Sequence, residues 1–162
     1  MYRCIAVAIV LLGALAAAAS AVDERALLIS IASQLQGPSY SGGCMSNWNN
    51  ATPVCNFTGV ACTGVGNVAR LGLFDCNLAG SLPANLSLLG ELQHVDLSFN
   101  AVTGSLPREW GINMTALQHL DLSLNQLSGS LPPEWGNMAV LQQLDLNNNQ
   151  LTGPLPPEWG RG

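Results

Sequence analysis

The second half of the chain carries a repeating pattern of hydrophobic and polar positions. The order L-x-x-L-x-L-x-x-N/C-x-L returns in three close copies after a weaker first one, and the copies reach Leu-Pro pairs at intervals of 24, 25 and 24 residues. A repeat of this length is one structural unit that buries its hydrophobic side only by stacking on its neighbours. The pattern therefore predicts an α/β solenoid: a right-handed coil with short parallel strands along its concave face.

Each coil is predicted to begin with a short strand. In Val95-Asp96-Leu97, alternation directs Val95 and Leu97 inward and Asp96 outward, and the segments around positions 95, 120 and 144 should lie side by side. Where the chain leaves the strand, an asparagine amide can donate and accept at once, so it can satisfy backbone groups of its own coil and the next. We expect this structural ladder at Asn100, Asn125 and Asn149, with Cys76 in the equivalent position of the first repeat.

The remainder of each coil is predicted to form the irregular convex side. The proline of each Leu-Pro pair cannot donate a hydrogen bond to a β-ladder, which suits that side. Trp110, Trp135 and Trp159 recur at 25 and 24 residues, and we expect them to stack in the convex part of the core. An aromatic strip that binds a ligand is the alternative interpretation of these tryptophans.

The residues before the repeats are predicted to cap the first coil. Asp23 to Leu35 reads as a helix with Leu28, Ile31 and Leu35 on one face, ended by Gly37-Pro38. Residues 37–54 are rich in Gly, Ser and Asn and are predicted to be loop. A helix followed by a short disulfide-closed loop would shield the first coil from water. We assign the cap to residues 22–67 and about four repeats, the last truncated, to residues 68–162.

Residues 1–21 have the character of a secretory signal peptide, because an apolar run from Ile5 to Ala19 follows Arg3 and ends in small residues. An uncleaved membrane anchor is the alternative. Export places four cysteines in an oxidising compartment, where three pairings are open for Cys44, Cys55, Cys62 and Cys76. N-glycosylation sequons agree with export and predict modification at Asn50, Asn56, Asn85 and Asn113.

Composition and charge exclude several functions. Only 9% of the residues are charged, lysine is absent and the net charge is −5, so the chain lacks a cationic surface for nucleic acid. His94, Asp96 and Ser98 alternate along one strand and suggest a hydrolase triad. Side chains that project in parallel do not converge, however, and no Gly-x-Ser-x-Gly motif is present. Parallel projection also disfavours a metal cage. We predict no catalytic residue, no metal and no cofactor.

The outward positions of the strands are predicted to form a ligand-binding concave face. The sequons lie elsewhere, so glycans would leave this face open. Polar side chains around a few apolar ones suit recognition of a protein or glycan, and a column of three aspartates should favour a basic partner or bound cations. The candidate ligand-binding residues are Arg70, Phe74, Asp75, His94, Asp96, Ser98, Phe99, His119, Asp121, Ser123, Leu124, Gln143, Asp145, Asn147 and Asn148, with Gly72 at the head of the aspartate column.

The repeat pattern is the leucine-rich repeat signature. Ala26-Leu27-Leu28, Trp48-Asn49 and Cys-x-Phe-x-Gly-Val-x-Cys at 55–62 resemble the N-terminal cap of plant-type leucine-rich repeat proteins, with Phe57 where that cap usually has tryptophan. Leu-Pro-Pro-Glu-Trp at 131–135 and 155–159 resembles the surface-antigen leucine-rich repeat proteins of kinetoplastid parasites. The resemblance implies an exported recognition or adhesion protein with a disulfide between Cys55 and Cys62. It leaves Cys44 and Cys76 unassigned.

The first functional hypothesis is therefore a non-enzymatic extracellular module of the surface-antigen or adhesion type that recognises a protein or glycan. The alternatives are an ectodomain fragment of a leucine-rich repeat receptor kinase and a secreted inhibitor of a wall-degrading enzyme. We expect the protein to be secreted or on the cell surface. Contact with a membrane is expected only through the signal segment or through an anchor that would follow Gly162.

Overall fold

The computed structural model describes residues 22–36 and 43–160. The predicted signal segment and the helix-ending Gly37-Pro38 lie outside these residues. Helix α1, Glu24–Leu35, starts one residue later than the hydrophobic pattern predicts because Asp23 is its N-cap. The Asp23 carboxylate accepts hydrogen bonds from the Arg25 and Ala26 N–H groups, both at 3.1 Å. The helix buries the predicted face of Leu28, Ile31 and Leu35.

A five-stranded sheet forms the concave face and confirms the predicted leucine-rich repeat fold. Its order is β1-β2-β4-β6-β8, with β1 antiparallel to β2 and the other pairs parallel. Val95, Leu120 and Leu144 lie side by side in register, and Val95 and Leu120 are buried as alternation predicts. The strands are β1 (Val60–Cys62), β2 (Val68–Gly72), β4 (His94–Asp96), β6 (His119–Asp121) and β8 (Gln143–Asp145).

A second parallel sheet follows the asparagine ladder and is not expected from the sequence pattern. Val102 and Leu127 point into the core from it and are fully buried. Gly104, Gly129 and Gly153 adopt positive φ values of 82° to 83°, which lets the chain turn toward the convex side. The sheet has the order β3-β5-β7-β9, and its strands are β3 (Ala79–Ser81), β5 (Ala101–Gly104), β7 (Gln126–Ser130) and β9 (Gln150–Thr152).

The convex side is built from one helical segment per coil. Helix α2, Arg108–Asn113, is an α-helix, whereas the equivalent Pro133–Asn137 is a 3₁₀ helix that is one residue shorter. The two remaining 3₁₀ segments on this side are Ala84–Leu88 and Pro157–Gly160. The predicted tryptophan stack is present: the rings of Trp110 and Trp135 are 6.1 Å apart and nearly parallel, and both are buried.

The cap closes the first coil through two disulfides. Cys55 pairs with Cys62, as the family resemblance implies, and Cys44 pairs with Cys76, which the sequence left unassigned. A 3₁₀ helix, Val54–Asn56, lies at the start of the 55–62 loop, a segment predicted to be irregular. Phe57 is buried and stacks on Trp48 at 5.3 Å, so phenylalanine packs well at a position where the family usually has tryptophan.

Candidate functional site

Asparagine amides fix the end of each concave strand. Asn125 Oδ1 accepts from the Val102 N–H at 3.0 Å, and its Nδ2 donates to the Leu97 carbonyl at 2.9 Å, both in the preceding coil. Further donations reach the carbonyls of Leu122 and Ser123 in its own coil. Asn100 and Asn149 repeat this arrangement.

The expectation that each ladder amide serves the next coil is therefore wrong in direction. The amide turns back toward the preceding coil, where a backbone N–H and a strand-end carbonyl lie within its reach across the stack. Cys76 carries no amide, and its sulfur is in the disulfide with Cys44. Its own N–H is satisfied by Asn100 Oδ1 at 3.0 Å, so the ladder of the second coil also completes the first.

The first column of the concave face is formed by Arg70, His94, His119 and Gln143, which are in register on neighbouring strands. The two imidazole rings stack with centroids 4.4 Å apart and planes within 6°. Partial burial lowers the pKa of His94 below its ordinary value, and the nearby charges of His119 and Arg70 lower it further. The stacked pair therefore favours an uncharged His94 at neutral pH.

The aspartate column is tied to the following turn. Asp96 Oδ1 accepts from the N–H of Ser98 at 3.0 Å and from its hydroxyl at 2.6 Å, and Asp121 holds Ser123 in the same way. Asp145 accepts from the N–H and the side-chain amide of Asn147. Because their hydroxyls point into these bonds, Ser98 and Ser123 are only 4% and 6% exposed. They orient the aspartates and offer little surface of their own.

The same contacts bear on the hydrolase triad and the metal cage that the His, Asp and Ser columns suggest. The Ser98 hydroxyl donates to Asp96 and is therefore not hydrogen-bonded as the nucleophile of a serine–histidine pair requires. Within residues 22–36 and 43–160, no three His, Cys, Asp or Glu side chains are grouped as metal ligands would be.

Three apolar side chains project from the edge of the concave face where the strands end. We call Phe74, Phe99 and Leu124 the apolar ridge; their exposed fractions are 56%, 51% and 44%. The rings of Phe74 and Phe99 lie 5.8 Å apart. Phe99 and Leu124 adopt left-handed backbone conformations, with φ of 57° and 53°. Asp75 and Asn148 occupy the equivalent positions in the flanking coils and share this conformation.

A shallow hollow runs beside the ridge and includes two residues that the sequence did not single out. Asn77 and Ala101 line it together with Phe99 and Leu124. Both lie just beyond the ladder position, where a strict strand alternation no longer applies. Aligning the repeats would have placed Asn77 and Ala101 in one column, which is the signal that identifies them.

The glycosylation sequons lie away from the concave strands. Asn50, Asn56 and Asn113 are exposed, whereas Asn85 is half-buried and its Oδ1 is enclosed. Ser87, the hydroxyl residue of the Asn85 sequon, is buried and accepts a hydrogen bond from the Asn113 amide at 3.3 Å. Asn50 and Asn56 are in the cap, and Asn85 and Asn113 are in the convex segments.

Two family models match the chain in agreement with this architecture. Residues 21–63 match the leucine rich repeat N-terminal domain, and residues 90–151 match the leucine rich repeat. The chain belongs to the plant-type leucine-rich repeat proteins with an N-terminal cap. Within the described residues, no helix combines the length and the apolar character needed to cross a membrane.

Similar proteins are plant receptor kinases and their ectodomains. The receptor-like kinase TMK4 of Arabidopsis thaliana is 31% identical over 54% of this chain, which corresponds to 9% of that protein. The BIR2 ectodomain from Arabidopsis thaliana is 31% identical, with a TM-score of 0.77 over 85% of this chain and 73% of that one. The structure of PEPR1–AtPEP1 is 34% identical, with a TM-score of 0.76 over 85% of this chain and 19% of that one.

This chain therefore spans only a small part of its curated relatives, between 6% and 16% of the receptor kinases compared. The matched parts are leucine-rich repeat ectodomains, which are non-catalytic, and the kinase region of the relatives lies outside them. With its two disulfides and its cap, the chain is an extracellular leucine-rich repeat module.

Proposed function

We propose that this chain is the recognition module of an extracellular receptor and that its concave face binds a protein or peptide. The observation that carries this proposal is the registered sheet of β2, β4, β6 and β8, which displays exposed side chains such as Arg70 and Gln143 in columns. A rigid scaffold with exposed, varied side chains is the usual arrangement for binding. The sequons lie on other surfaces, so glycans would leave the face accessible.

The similar proteins support a receptor ectodomain more than a surface antigen. The relatives named above are plant receptor kinases, and a further similar structure, 31% identical to this chain, is described as the plant peptide hormone receptor RGFR1 in complex with RGF2. This favours a protein or peptide as the ligand over a glycan. The sequence offers an ectodomain fragment of a receptor kinase only as an alternative hypothesis, and we now place this hypothesis first.

The test is a binding measurement on the secreted, glycosylated chain. Labelled protein is added to washed cells of the organism that makes it, before and after surface proteins are digested with trypsin. We expect saturable binding that trypsin removes and enzymatic deglycosylation of the cells does not. The double variant Arg70→Ala/Gln143→Ala removes two exposed concave side chains and should abolish binding, whereas Arg108→Ala/Ile112→Ala on the convex side should not. Equal loss in both variants would contradict the proposal.

The surface-antigen type stays a second candidate, and it is carried only by the sequence resemblance of Leu-Pro-Pro-Glu-Trp at 131–135 and 155–159. Sequencing the complete transcript separates the candidates. A spanning helix followed by kinase motifs supports the receptor, and a Ser/Thr/Pro-rich stalk with an anchor signal supports the antigen.

A further inference from the structure

The apolar ridge is not explained by folding. Phe99 and Leu124 leave about half of their surface in water, so they gain little from burial. Both are in the left-handed region, which is unfavourable for bulky side chains and better tolerated by Asn and Asp. The chain itself uses Asp75 and Asn148 at the equivalent positions of the flanking coils. Asparagine at positions 99 and 124 would suit the backbone better, so the apolar side chains need another reason.

The ridge is also held rigidly. The Phe99 N–H donates to the Ser123 carbonyl at 3.1 Å, and the Leu124 N–H donates to the Asn147 carbonyl at 3.0 Å. The ladder residues Asn100 and Asn125 follow directly and fix the backbone on the other side. A ligand that contacts Phe99 and Leu124 therefore orders little that is not already ordered, which favours binding.

A negative column precedes the ridge by three residues in each coil, with Asp96 before Phe99 and Asp121 before Leu124. Asp96, Asp121 and Asp145 are in register on adjacent strands, about 4.8 Å apart by the usual spacing. Each uses Oδ1 to hold the residue two positions on, and a carboxylate can accept at both oxygens. In the described part of the chain, the salt bridge that forms is on the convex side between Arg108 and Glu109, so none of the three aspartates has a cationic partner in a salt bridge.

Arg70, the arginine near this column, stands at its first-coil end. His94 and His119 continue the Arg70 column on the second and third coils, and the lowered pKa of His94 favours its uncharged form. At the first coil the aspartate column is interrupted by Gly72. The negative charge is therefore concentrated on the second to fourth coils, beside Phe99 and Leu124. Charge complementarity favours a cationic group on the partner at this place.

We propose that the apolar ridge and the aspartate column together bind an extended peptide segment of a partner protein that carries both cationic and large apolar side chains. The apolar side chains pack against Phe99 and Leu124, and the cationic ones pair with the aspartates. The column spans about 10 Å, which a segment of about six extended residues covers with margin. This inference rests on the proposed function and specifies the chemistry of its ligand.

The experiment uses fluorescein-labelled peptides of about nine residues, a length sufficient to cross the column. One peptide alternates Arg and Phe, a second alternates Arg and Ser, and a third alternates Glu and Phe. Binding to the secreted chain is followed by fluorescence anisotropy at physiological ionic strength, where weak long-range attraction is screened. We expect the Arg/Phe peptide to bind at least roughly tenfold more tightly than either comparator.

Two variants with matched controls locate the site. Phe99→Asn suits the left-handed backbone, and Asp121→Asn keeps an oxygen for Ser123, so neither is expected to unfold the chain. Each should weaken the Arg/Phe peptide roughly tenfold. Ile112→Asn and Glu134→Gln make equivalent changes on the convex side and should leave binding unchanged. Leu124→Asn repeats the test of the ridge.

The inference is overturned if the Glu/Phe or the Arg/Ser peptide binds as well as the Arg/Phe peptide, if Phe99→Asn and Leu124→Asn both bind normally, or if Asp121→Asn binds normally. The cell-binding assay with the Arg70→Ala/Gln143→Ala variant is independent of these peptides. If that assay succeeds while the peptides show no selectivity, only the assignment of ligand chemistry fails. If both fail, the proposed recognition function fails with it.

Discussion

The convex and concave sides of the same repeats differ in whether equivalent positions keep the same residue type. On the convex side, Trp110, Trp135 and Trp159 repeat one residue, stack at 6.1 and 6.4 Å, and donate from Nε1 to the carbonyl of a proline in the preceding coil. On the concave edge, the equivalent column changes from Asp to Phe to Leu to Asn. Where the neighbouring coil is the environment, one residue type recurs; where solvent is the environment, the residue type is free to differ and can serve recognition.

The largest expected effect is on the convex side. Trp135→Ala removes a ring buried between two others together with its hydrogen bond to the Pro107 carbonyl at 2.9 Å. We expect a loss of about 3–5 kcal/mol in the free energy of unfolding, as for other buried tryptophans. Urea denaturation measures it. A loss as small as that of an exposed substitution such as Ile112→Ala would show that the tryptophan column does not hold the coils together.

The second-largest loss of stability is expected for the asparagine ladder, which lies between the concave strands and the convex side. Asn125→Ala removes the acceptor of the buried Val102 N–H and one of the donors to each of three carbonyls, and it should cost about 1–3 kcal/mol. Asn137→Ala, at an exposed position on the convex side, is the matched control and should change stability by less than about 0.5 kcal/mol. Equal effects of Asn125→Ala and Asn137→Ala in urea denaturation would mean that the amide ladder is dispensable.

On the concave edge we do not expect a substitution to lower the free energy of unfolding. Leu124→Asn replaces an exposed apolar residue at a positive φ by one that tolerates that conformation. We expect unfolding free energy to stay constant or to rise by up to about 1 kcal/mol. Thermal denaturation of Leu124→Asn beside Ile112→Asn provides the comparison. A marked fall in the melting temperature for Leu124→Asn alone would assign the ridge a structural role.

The smallest effect concerns pH. The pKa of His94 is lowered from 6.5 in the folded chain, chiefly by burial, so the unfolded chain binds more protons between the folded value and 6.5. The contribution is fully present above pH 6.5 and is lost as the pH falls through the folded pKa. Stability should therefore decrease on mild acidification, and His94→Gln should reduce this decrease. Melting curves between neutral and mildly acidic pH measure it; an unchanged slope in the variant would remove His94 as the cause.

Much of the architecture could be predicted because it is encoded in local periodicity. The inward Val95 and Leu97, the registered strands and the stacked tryptophans all follow from residues that return at a fixed interval. The helix expected from Asp23 begins one residue later in the structure, at Glu24. Aspartate is favoured both as an N-cap and in the first helical turn, so the sequence does not separate these two positions. The second sheet was missed since its strands are short and lack a clear alternation.

The candidate site was predictable only as a set of columns. Outward positions could be counted from the strands, but the capture of Ser98 and Ser123 by the aspartates could not, because it depends on the turn after each strand. The same turn places Phe99 and Leu124 at positive φ, which no periodicity signals. Whether these columns bind a ligand remains a prediction that the variants above test.

The amino-acid sequence by itself determined the repeat length, the buried leucines and the positions of the ladder asparagines, since each of these depends on spacing along one chain. Only the tertiary structure decided that Cys44 pairs with Cys76, that each ladder amide turns to the preceding coil, and that Phe99 and Leu124 stand exposed at positive φ. These features depend on which backbone groups of a neighbouring coil come within reach, and that neighbourhood exists only once the coils have stacked.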